Sequence, residues 1–560
     1  MPNLKAVKST VSLHTVRSKA GDHVHQVLSN RSELRVLSVD AGKVGDEDLL
    51  ADIGYKQELN RSYSTIQIFG IAFSIMGLLP SIASTIGSGL DYGAVGLTWG
   101  WFCSGFFILS IGVSMSILSS AIPTSGGLYY WTNYYAPDNM KVILSFLIGC
   151  SNSMGLISGF CSINYGFASE IASAVYISKD GDFDITNPIL YGIFAACCVS
   201  HIALCCATSK HTAYLQSFSI YINVFIIVLF IIAVPIGASK KNGFNDSSFI
   251  FGNTTNETNW TAGWSFMLSW MPAIWTIGAF DSCVHMSEEA KNATRGVPIG
   301  IIGSITVCWV IGWIICIVAC ACMQNGDVDA VVSPTTGQSM AQIIYDCLGK
   351  EWAVAFMSLI AFAQYVMGAS ILTAASRQIW AFARDDGLPF HSYVKVINPT
   401  LKVPLRATIF GGLFGLIIGL LILIDETAAS ALFSLAVASN YLSWGMPVFL
   451  VLLPHGSKKF KPGYFTLGKV GNTIVHCITV VWIVYVIIMS MFPSSKTVDK
   501  ETMNYTVVIN VGVWILALVY YFVYGYKVFS GPKSNLEGEH DGSVDEDLVN
   551  IDAQLLEDKS

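Results

Sequence analysis

GIAFSIMGLLPSIASTIGSGL, residues 70–90, is apolar and long enough to cross a membrane, yet Gly77 and Pro80 stand at its middle. About 20 apolar residues span a hydrocarbon core of roughly 30 Å as helix. Lipid offers no hydrogen bonds, so an interrupted backbone survives at that depth only where the freed groups are buried in protein or line a cavity. Pro80 has no amide proton and suits the first turn of a new helix. Two half-helices meeting near 77–79 are therefore predicted, with the amide end of the second open to a carboxylate. A second apolar segment, WMPAIWTIGAFDSCVHMSEEAKN at 270–292, is interrupted in the same way by Pro272 and Gly278, with Asp281 three residues on.

The composition around these segments agrees with a membrane solvent. The 560 residues are 53% AVILMFWYC and 12% charged, against about 25% charged in soluble chains, and mean hydropathy is +0.56. So little polar surface cannot coat a soluble globule. A net charge of −7, without a basic run interleaved with aromatics, excludes nucleic acid as a partner. The 14 cysteines lie mostly in apolar stretches without CxxC pairs or ligand-spaced histidines, so they read as small hydrophobes; neither metal nor cofactor is expected.

Twelve spans are predicted, at 66–90, 97–119, 142–168, 189–208, 214–237, 263–285, 299–322, 352–375, 405–424, 428–453, 471–492 and 505–526. We number them helices 1 to 12. With the N-terminus in the cytosol, inner loops carry fourteen Lys and Arg residues, among them Lys141, Lys291, Arg295 and Arg406, and outer loops carry six. Positive charge retained inside requires that orientation, which leaves both termini cytosolic. The sequons at Asn245, Asn253, Asn256, Asn259 and Asn504 then face away from the cytosol as glycosylation candidates, whereas those at Asn30, Asn60 and Asn292 do not.

The broken spans are the first and the sixth, which open successive five-helix halves. That placement points to an inverted-repeat transporter with a midplane site: an all-α membrane protein with a LeuT-like 5+5 repeat and two peripheral helices. The expected organisation is a cytosolic tail (1–61), a first repeat (62–237), a sequon-bearing loop (238–262), a second repeat (263–453), helices 11–12 (454–526) and an acidic tail (527–560). The acidic tail is too polar to fold alone. Leu49-Leu50 and Leu555-Leu556, near acids, are candidate signals for sorting or ubiquitin machinery.

Polar residues within spans are few: Asn152, Asn164 and Glu170 on helix 3, His201 on helix 4, Asn223 on helix 5, Asp281 and His285 on helix 6, and Gln364 on helix 8. Each is costly in hydrocarbon and should face protein or water. No Lys or Arg falls mid-span, so a bound carboxylate would rest on helix-end amides. A bound ammonium would find backbone carbonyls, the carboxylates Asp281 and Glu170, and the faces of Trp275 and Phe280. His201 reads as a hydrogen-bonded packing residue.

Three stretches carry a family resemblance. Residues 275–301 (WTIGAFDSCVHMSEEAKNATRGVPIGI) resemble the helix 6 signature of the amino acid–polyamine–organocation transporters. Residues 119–137 (SSAIPTSGGLYYWTNYYAP) resemble their helix 2–3 element, with Pro123, Gly126, Gly127 and Tyr129. Residues 376–389 (SRQIWAFARDDGLP) are similar to the block after helix 8 in the fungal amino acid/choline branch. Residues 49–84 resemble that branch's GABA permeases.

The resemblance implies unwound helices 1 and 6 at the substrate and uptake of 4-aminobutyrate (GABA), with putrescine and related ω-amino acids as further substrates. It also implies coupling to protons and residence in the vacuolar membrane, the plasma membrane being the alternative. Carried over by position, the substrate contacts fall on Gly77, Leu78, Leu79, Pro80 and Ser81, and on Trp275, Gly278, Phe280 and Asp281. Two departures bear on coupling: helix 5 lacks the lysine that some members carry, and MGLLPS replaces the glycine-dense break. Asp281 and Glu170 are the proton-coupling candidates, because a carboxyl in a dry site can exchange a proton. Glu288 and Arg295 are the gating candidates, with Glu289 and Lys291 beside them. A choline, polyamine or broader amino acid carrier, a non-transporting nutrient sensor and a membrane enzyme are the rivals. The flanks are short for a sensor, and the His/Asp or Cys/His cluster of an enzyme is missing.

Overall fold

The computed structural model of the chain describes residues 12–17, 24–29, 46–206, 209–241, 243–497 and 506–534. It falls into two units, of which Leu59–Gly531 is the membrane body. The other contains a two-stranded antiparallel hairpin, Ser12–Arg17 with Val24–Ser29, and a short helix, Asp46–Asp52. Leu50 is buried, whereas Leu49 beside it is half-buried. Leu555-Leu556, the acidic run and Asn504 lie outside the described residues.

Ten helical runs among the described residues are long and apolar enough to cross a membrane. They accommodate the twelve predicted spans with one merger and one fragmentation. Thr65–Ala121 holds helices 1 and 2, joined by a tight turn at Leu90–Tyr92. Helix 6 is split into Ala262–Leu268, Met271–Thr276 and Ser282–His285, none long enough to cross alone. Elsewhere the apolar runs locate the helices but not their ends. Helix 3 is 38 residues, Lys141–Ser178, and helix 8 is 35, Lys350–Arg384. The extension of helix 8 carries Arg377, fully buried, beyond the end of the apolar run. Polar ends stay helical here because they pack against protein.

The packing follows a pseudo-two-fold pattern. Helix 2 lies on helix 7 and helix 3 on helix 8, each pairing one half with its counterpart in the other. The first half of helix 1 (Thr65–Met76, helix 1a) packs on Ser282–His285 (helix 6b), and the second half (Leu78–Gly89, helix 1b) on Met271–Thr276 (helix 6a). A short helix after helix 2, Gly127–Tyr135, is matched by Ser339–Leu348 after helix 7. This is the all-α LeuT-like 5+5 fold, with helices 11 and 12 outside the repeats. Small residues permit the close approach: a Cβ at Gly105 would overlap the Trp309 ring, and one at Gly312 the Trp101 ring. Asp425 caps helix 10 by accepting from the Ala428 amide at 2.6 Å, so helices 9 and 10 turn back on each other abruptly.

In the 238–262 loop the Asn245 amide donates to the Cys320 and Met323 carbonyls at 2.9 and 2.8 Å, which commits it to structure. Asn253 is half-buried, whereas Asn256 and Asn259 are exposed. The Asp246 carboxyl is held below its ordinary range by accepting from the Phe249 amide and the Ser248 hydroxyl.

Candidate functional site

The break in helix 1 is one residue wide. Gly77 takes φ +39° and ψ 62°, a left-handed conformation that closes helix 1a and starts helix 1b. Its own N–H still donates to Phe73 O at 3.1 Å, and Ser81 N–H donates to Gly77 O at 2.8 Å. The Ser81 hydroxyl returns to the freed Met76 carbonyl at 2.6 Å. Pro80 has no N–H. The orphan amides of helix 1b are therefore those of Leu78 and Leu79, a narrower cradle than the 77–81 stretch predicted from sequence. Met367 of helix 8 sits against the break: a Cβ on Gly77 would lie 2.6 Å from its sulfur.

Helix 6 opens over five residues, Ile277–Asp281. Ile277 N–H donates to Ala273 O at 2.9 Å and closes helix 6a. Ala279 adopts φ +53°, a left-handed conformation costing a non-glycine residue about 1–2 kcal/mol. Asp281 then starts helix 6b, accepting at its carbonyl from Val284 N–H at 2.8 Å. Of the carbonyls freed at the end of helix 6a, that of Ile274 accepts from the Tyr441 hydroxyl at 3.3 Å. Those of Trp275 and Thr276 lose their helical donors to the break.

Between the two breaks lies a cavity of about 30 Å3. Ile75 borders it from helix 1a, Gly159 and Ile163 from helix 3, residues 274–276, 278 and 279 from helix 6, Met367 and Ile371 from helix 8, and Asn440, Tyr441 and Trp444 from helix 10. Trp275 and Gly278, predicted from sequence, are on this wall. Phe280 lies one layer behind, its ring 4.4 Å from that of Trp444. Gly77–Ser81 and Asp281 do not border the cavity in this closed arrangement. The sequence reading missed Met367 and the helix 10 residues. Asn440, an amide inside an apolar span, carried the same signal that singled out Asn152.

Asp281 is fully buried and well connected. Its Oδ2 accepts from Asn152 Nδ2 at 2.8 Å and lies 3.3 Å from His285 Nε2. Glu170, also buried, accepts from the Ser84 hydroxyl at 3.4 Å, the one hydrogen bond of its carboxylate among the described residues. It faces helix 1b, so the two buried carboxyls stand on opposite sides of the helix 1 break. His201 bonds the Tyr365 carbonyl at 2.7 Å and packs against the Tyr365 ring, tilted by 37°, in keeping with a packing role.

We call the side on which helix 1 begins the near side. There, two buried ion pairs join the segment after helix 6 to helix 8. Glu288 takes Arg384 in two contacts, 3.1 and 3.3 Å, and Glu289 takes Arg377 at 2.7 Å. Glu288 also accepts from Ser125 N–H at 3.1 Å, which ties in the helix 2–3 turn. Arg61 donates to the Ser287 and Ala290 carbonyls at 3.1 and 2.8 Å, and Tyr63 forms an isolated bridge with Ala290 of the same segment. Of the two gating candidates, Glu288 is in this cluster and Arg295 is not: Arg295 is exposed, with its guanidinium 4.0 Å from the Tyr464 ring centre. Lys291 is exposed as well. Helix 8 outruns its apolar stretch, so it delivers the cations instead.

Comparison with known proteins agrees with this architecture. The "Amino acid permease" family profile matches residues 63–513. The "GABA-specific permease" of Saccharomyces cerevisiae is 53% identical over 534 residues, covering 94% of this chain and 93% of its own. An uncharacterized amino-acid permease of Schizosaccharomyces pombe is 34% identical over 500 residues, 89% of this chain and 88% of its own. The "Amino-acid permease BAT1 homolog" of Oryza sativa is 29% identical over 520 residues, 89% of this chain and 98% of its own.

Proposed function

The chain belongs to the amino acid permease family, and from that premise we propose that it is a secondary active transporter of GABA, with putrescine and related ω-amino acids as further substrates. One observation carries the reading. A cavity lies against the carbonyl end of helix 6a and the last turn of helix 1a, and Met367 on its wall covers the amide end of helix 1b, so parting that wall brings opposite helix ends to one small site. GABA is a flexible zwitterion whose carboxylate and ammonium are several bonds apart. Its carboxylate rests on the Leu78 and Leu79 amides, its ammonium on the Trp275 and Thr276 carbonyls, and its chain against Trp275. A cavity of about 30 Å3 holds about one water, so loading requires the walls to part. Rocking of helices 1 and 6 against the rest exposes the site to either side in turn.

The near side is the cytosolic side in this reading, as the distribution of Lys and Arg supports. The Glu288–Arg384 and Glu289–Arg377 pairs form the gate there, with Arg295 at its rim. Asn256 and Asn259 are the most accessible glycan acceptors on the opposite side. The vacuolar membrane is the proposed residence, which fluorescence of a tagged chain would distinguish from the plasma membrane. Protons drive the cycle through Asp281 or Glu170.

A second reading, a choline or polyamine carrier, draws support from the aromatic wall: Trp275 packs 4.8 Å from Phe433, and Tyr441 4.7 Å from Trp444. Such faces suit a cation. Purified protein in liposomes, given a pH gradient and labelled GABA, tests both. Accumulation that excess GABA suppresses more strongly than putrescine or choline supports the first reading. No GABA uptake, with choline or putrescine carried instead, overturns it. Asp281→Asn should abolish accumulation against a gradient and leave exchange intact; normal accumulation by that variant would remove Asp281 from coupling.

A further inference from the structure

A line of polar groups runs unbroken from the cavity wall to the near-side gate. Asn440 Oδ1 lies 3.4 Å from Asn152 Nδ2, which lies 2.8 Å from Asp281 Oδ2, itself 3.3 Å from His285 Nε2. On the other side of its ring, His285 Nδ1 meets the Ser125 carbonyl at 3.0 Å. The N–H of the same residue, Ser125, donates to Glu288, which holds Arg384. Asn152, Asp281, His285 and Glu288 are all fully buried.

The hydrogens in this line are constrained. A carbonyl only accepts, so His285 Nδ1 must carry a hydrogen. Nε2 then faces a carboxylate oxygen, and two bare lone pairs would repel. Either Nε2 carries a second hydrogen or the Asp281 carboxyl supplies one. In both cases the pair holds one proton more than a carboxylate and a neutral imidazole would. Asp281 Oδ2 also accepts from Asn152, which fixes that oxygen on the side of the ring.

We propose that Asp281 and His285 act together as the proton carrier of the transport cycle, with His285 linking the protonation of helix 6b to the near-side gate. This rests on the reading of the chain as a proton-coupled GABA transporter. In the closed state the shared proton bridges Asp281 and His285. When it leaves, the bond to hydrogen at Nε2 or Oδ2 breaks and the proton passes to near-side water. A carboxylate and a neutral imidazole remain, and no electrons are exchanged. The imidazole then keeps one hydrogen for two acceptors, the Ser125 carbonyl and Asp281. It cannot satisfy both, so helix 6b loosens from the helix 2–3 turn that Glu288 and Arg384 clamp.

The surroundings leave few competing groups. Cys283 is the titratable neighbour within helix 6b. Of the elements packed on helix 6b, helix 1a brings no titratable side chain, helix 8 brings Arg377 and Arg384, each paired with a glutamate, and helix 7 brings Arg295, which lies over Tyr464. Asn152 and Asn440 do not titrate.

The test uses the full chain in liposomes, with labelled GABA, as wild type, His285→Gln and His285→Asn. Glutamine can keep a donor toward Asp281 and asparagine a donor toward the Ser125 carbonyl, but neither takes up a proton. Symport of one proton permits about tenfold accumulation per pH unit. Wild type should approach this. Both variants should equilibrate without accumulating and without GABA-dependent proton uptake, while GABA/GABA exchange continues. Failure of the wild type to accumulate under a pH gradient would defeat the underlying functional reading. Wild-type accumulation matched by both variants would overturn the proposal alone. Loss of exchange in both variants would also overturn it, because a group needed only for coupling leaves exchange in place.

Discussion

The two breaks that make the site differ in almost every physical respect. Helix 1 is interrupted at one glycine, which adopts a left-handed conformation without strain, and a thioether covers the interruption. Helix 6 is interrupted over five residues, through a strained alanine, and continues into a helix tied to buried charges. The first break is narrow and unstrained, suited to presenting amides to an anion as a rigid unit when helix 1 moves. The second is strained and wired to the gate, suited to changing state. A site that must bind on both sides of a membrane needs both properties, and the chain assigns them to different helices.

Removing the gate cation should strike the helix 6 side hardest. Arg384→Ala leaves Glu288 buried without its guanidinium, and breaking a buried pair this way costs about 3–5 kcal/mol. Thermal unfolding in detergent should show a large drop, and a cysteine placed below the gate should become reactive from the near side. An unchanged melting temperature with an unreactive cysteine would make the pair incidental.

Gly77→Ala tests the helix 1 side. The left-handed conformation penalises alanine by about 1–2 kcal/mol, and the methyl group would crowd Met367 at 2.6 Å. GABA affinity should fall at least about tenfold, at 1.4 kcal/mol per decade. Adding Met367→Ala should recover only the steric share.

The smallest effect belongs to the reverse exchange, Ala279→Gly. Relief of about 1–2 kcal/mol of strain is offset by about 0.4–1 kcal/mol of added freedom in the unfolded chain. Stability should rise by between about 0 and 1.6 kcal/mol. If Gly77→Ala and Ala279→Gly proved alike in sign and size, the contrast between the breaks would fail.

What the sequence disclosed follows from the solvent. Apolar length located the spans, and Gly77, Pro80, Pro272 and Gly278 located both interruptions, because lipid penalises an open backbone strongly enough to leave a local mark. The gate was less legible. Glu288 and Glu289 were visible, but their partners Arg377 and Arg384 are 88 and 96 residues away, on a helix that continues past its apolar run. Arg295 was nearer in sequence and is directed elsewhere. The helix 10 wall was missed for a similar reason, since a pairing between distant spans leaves no periodicity in either. His285 was legible at four residues from Asp281, one helical turn, yet only the Ser125 carbonyl on its far side reveals what the ring must carry.

The account rests on the helix 1b amides and the helix 6a carbonyls holding the two ends of one substrate, and a structure determined with GABA bound tests this most directly. The predicted result is ligand density between the two breaks, with a carboxylate oxygen within about 3 Å of the Leu78 or Leu79 nitrogen and the amine within a similar distance of the Trp275 or Thr276 oxygen. Density lodged away from both breaks, or a bound state in which helices 1 and 6 run continuous through 77 and 277–281, would contradict it.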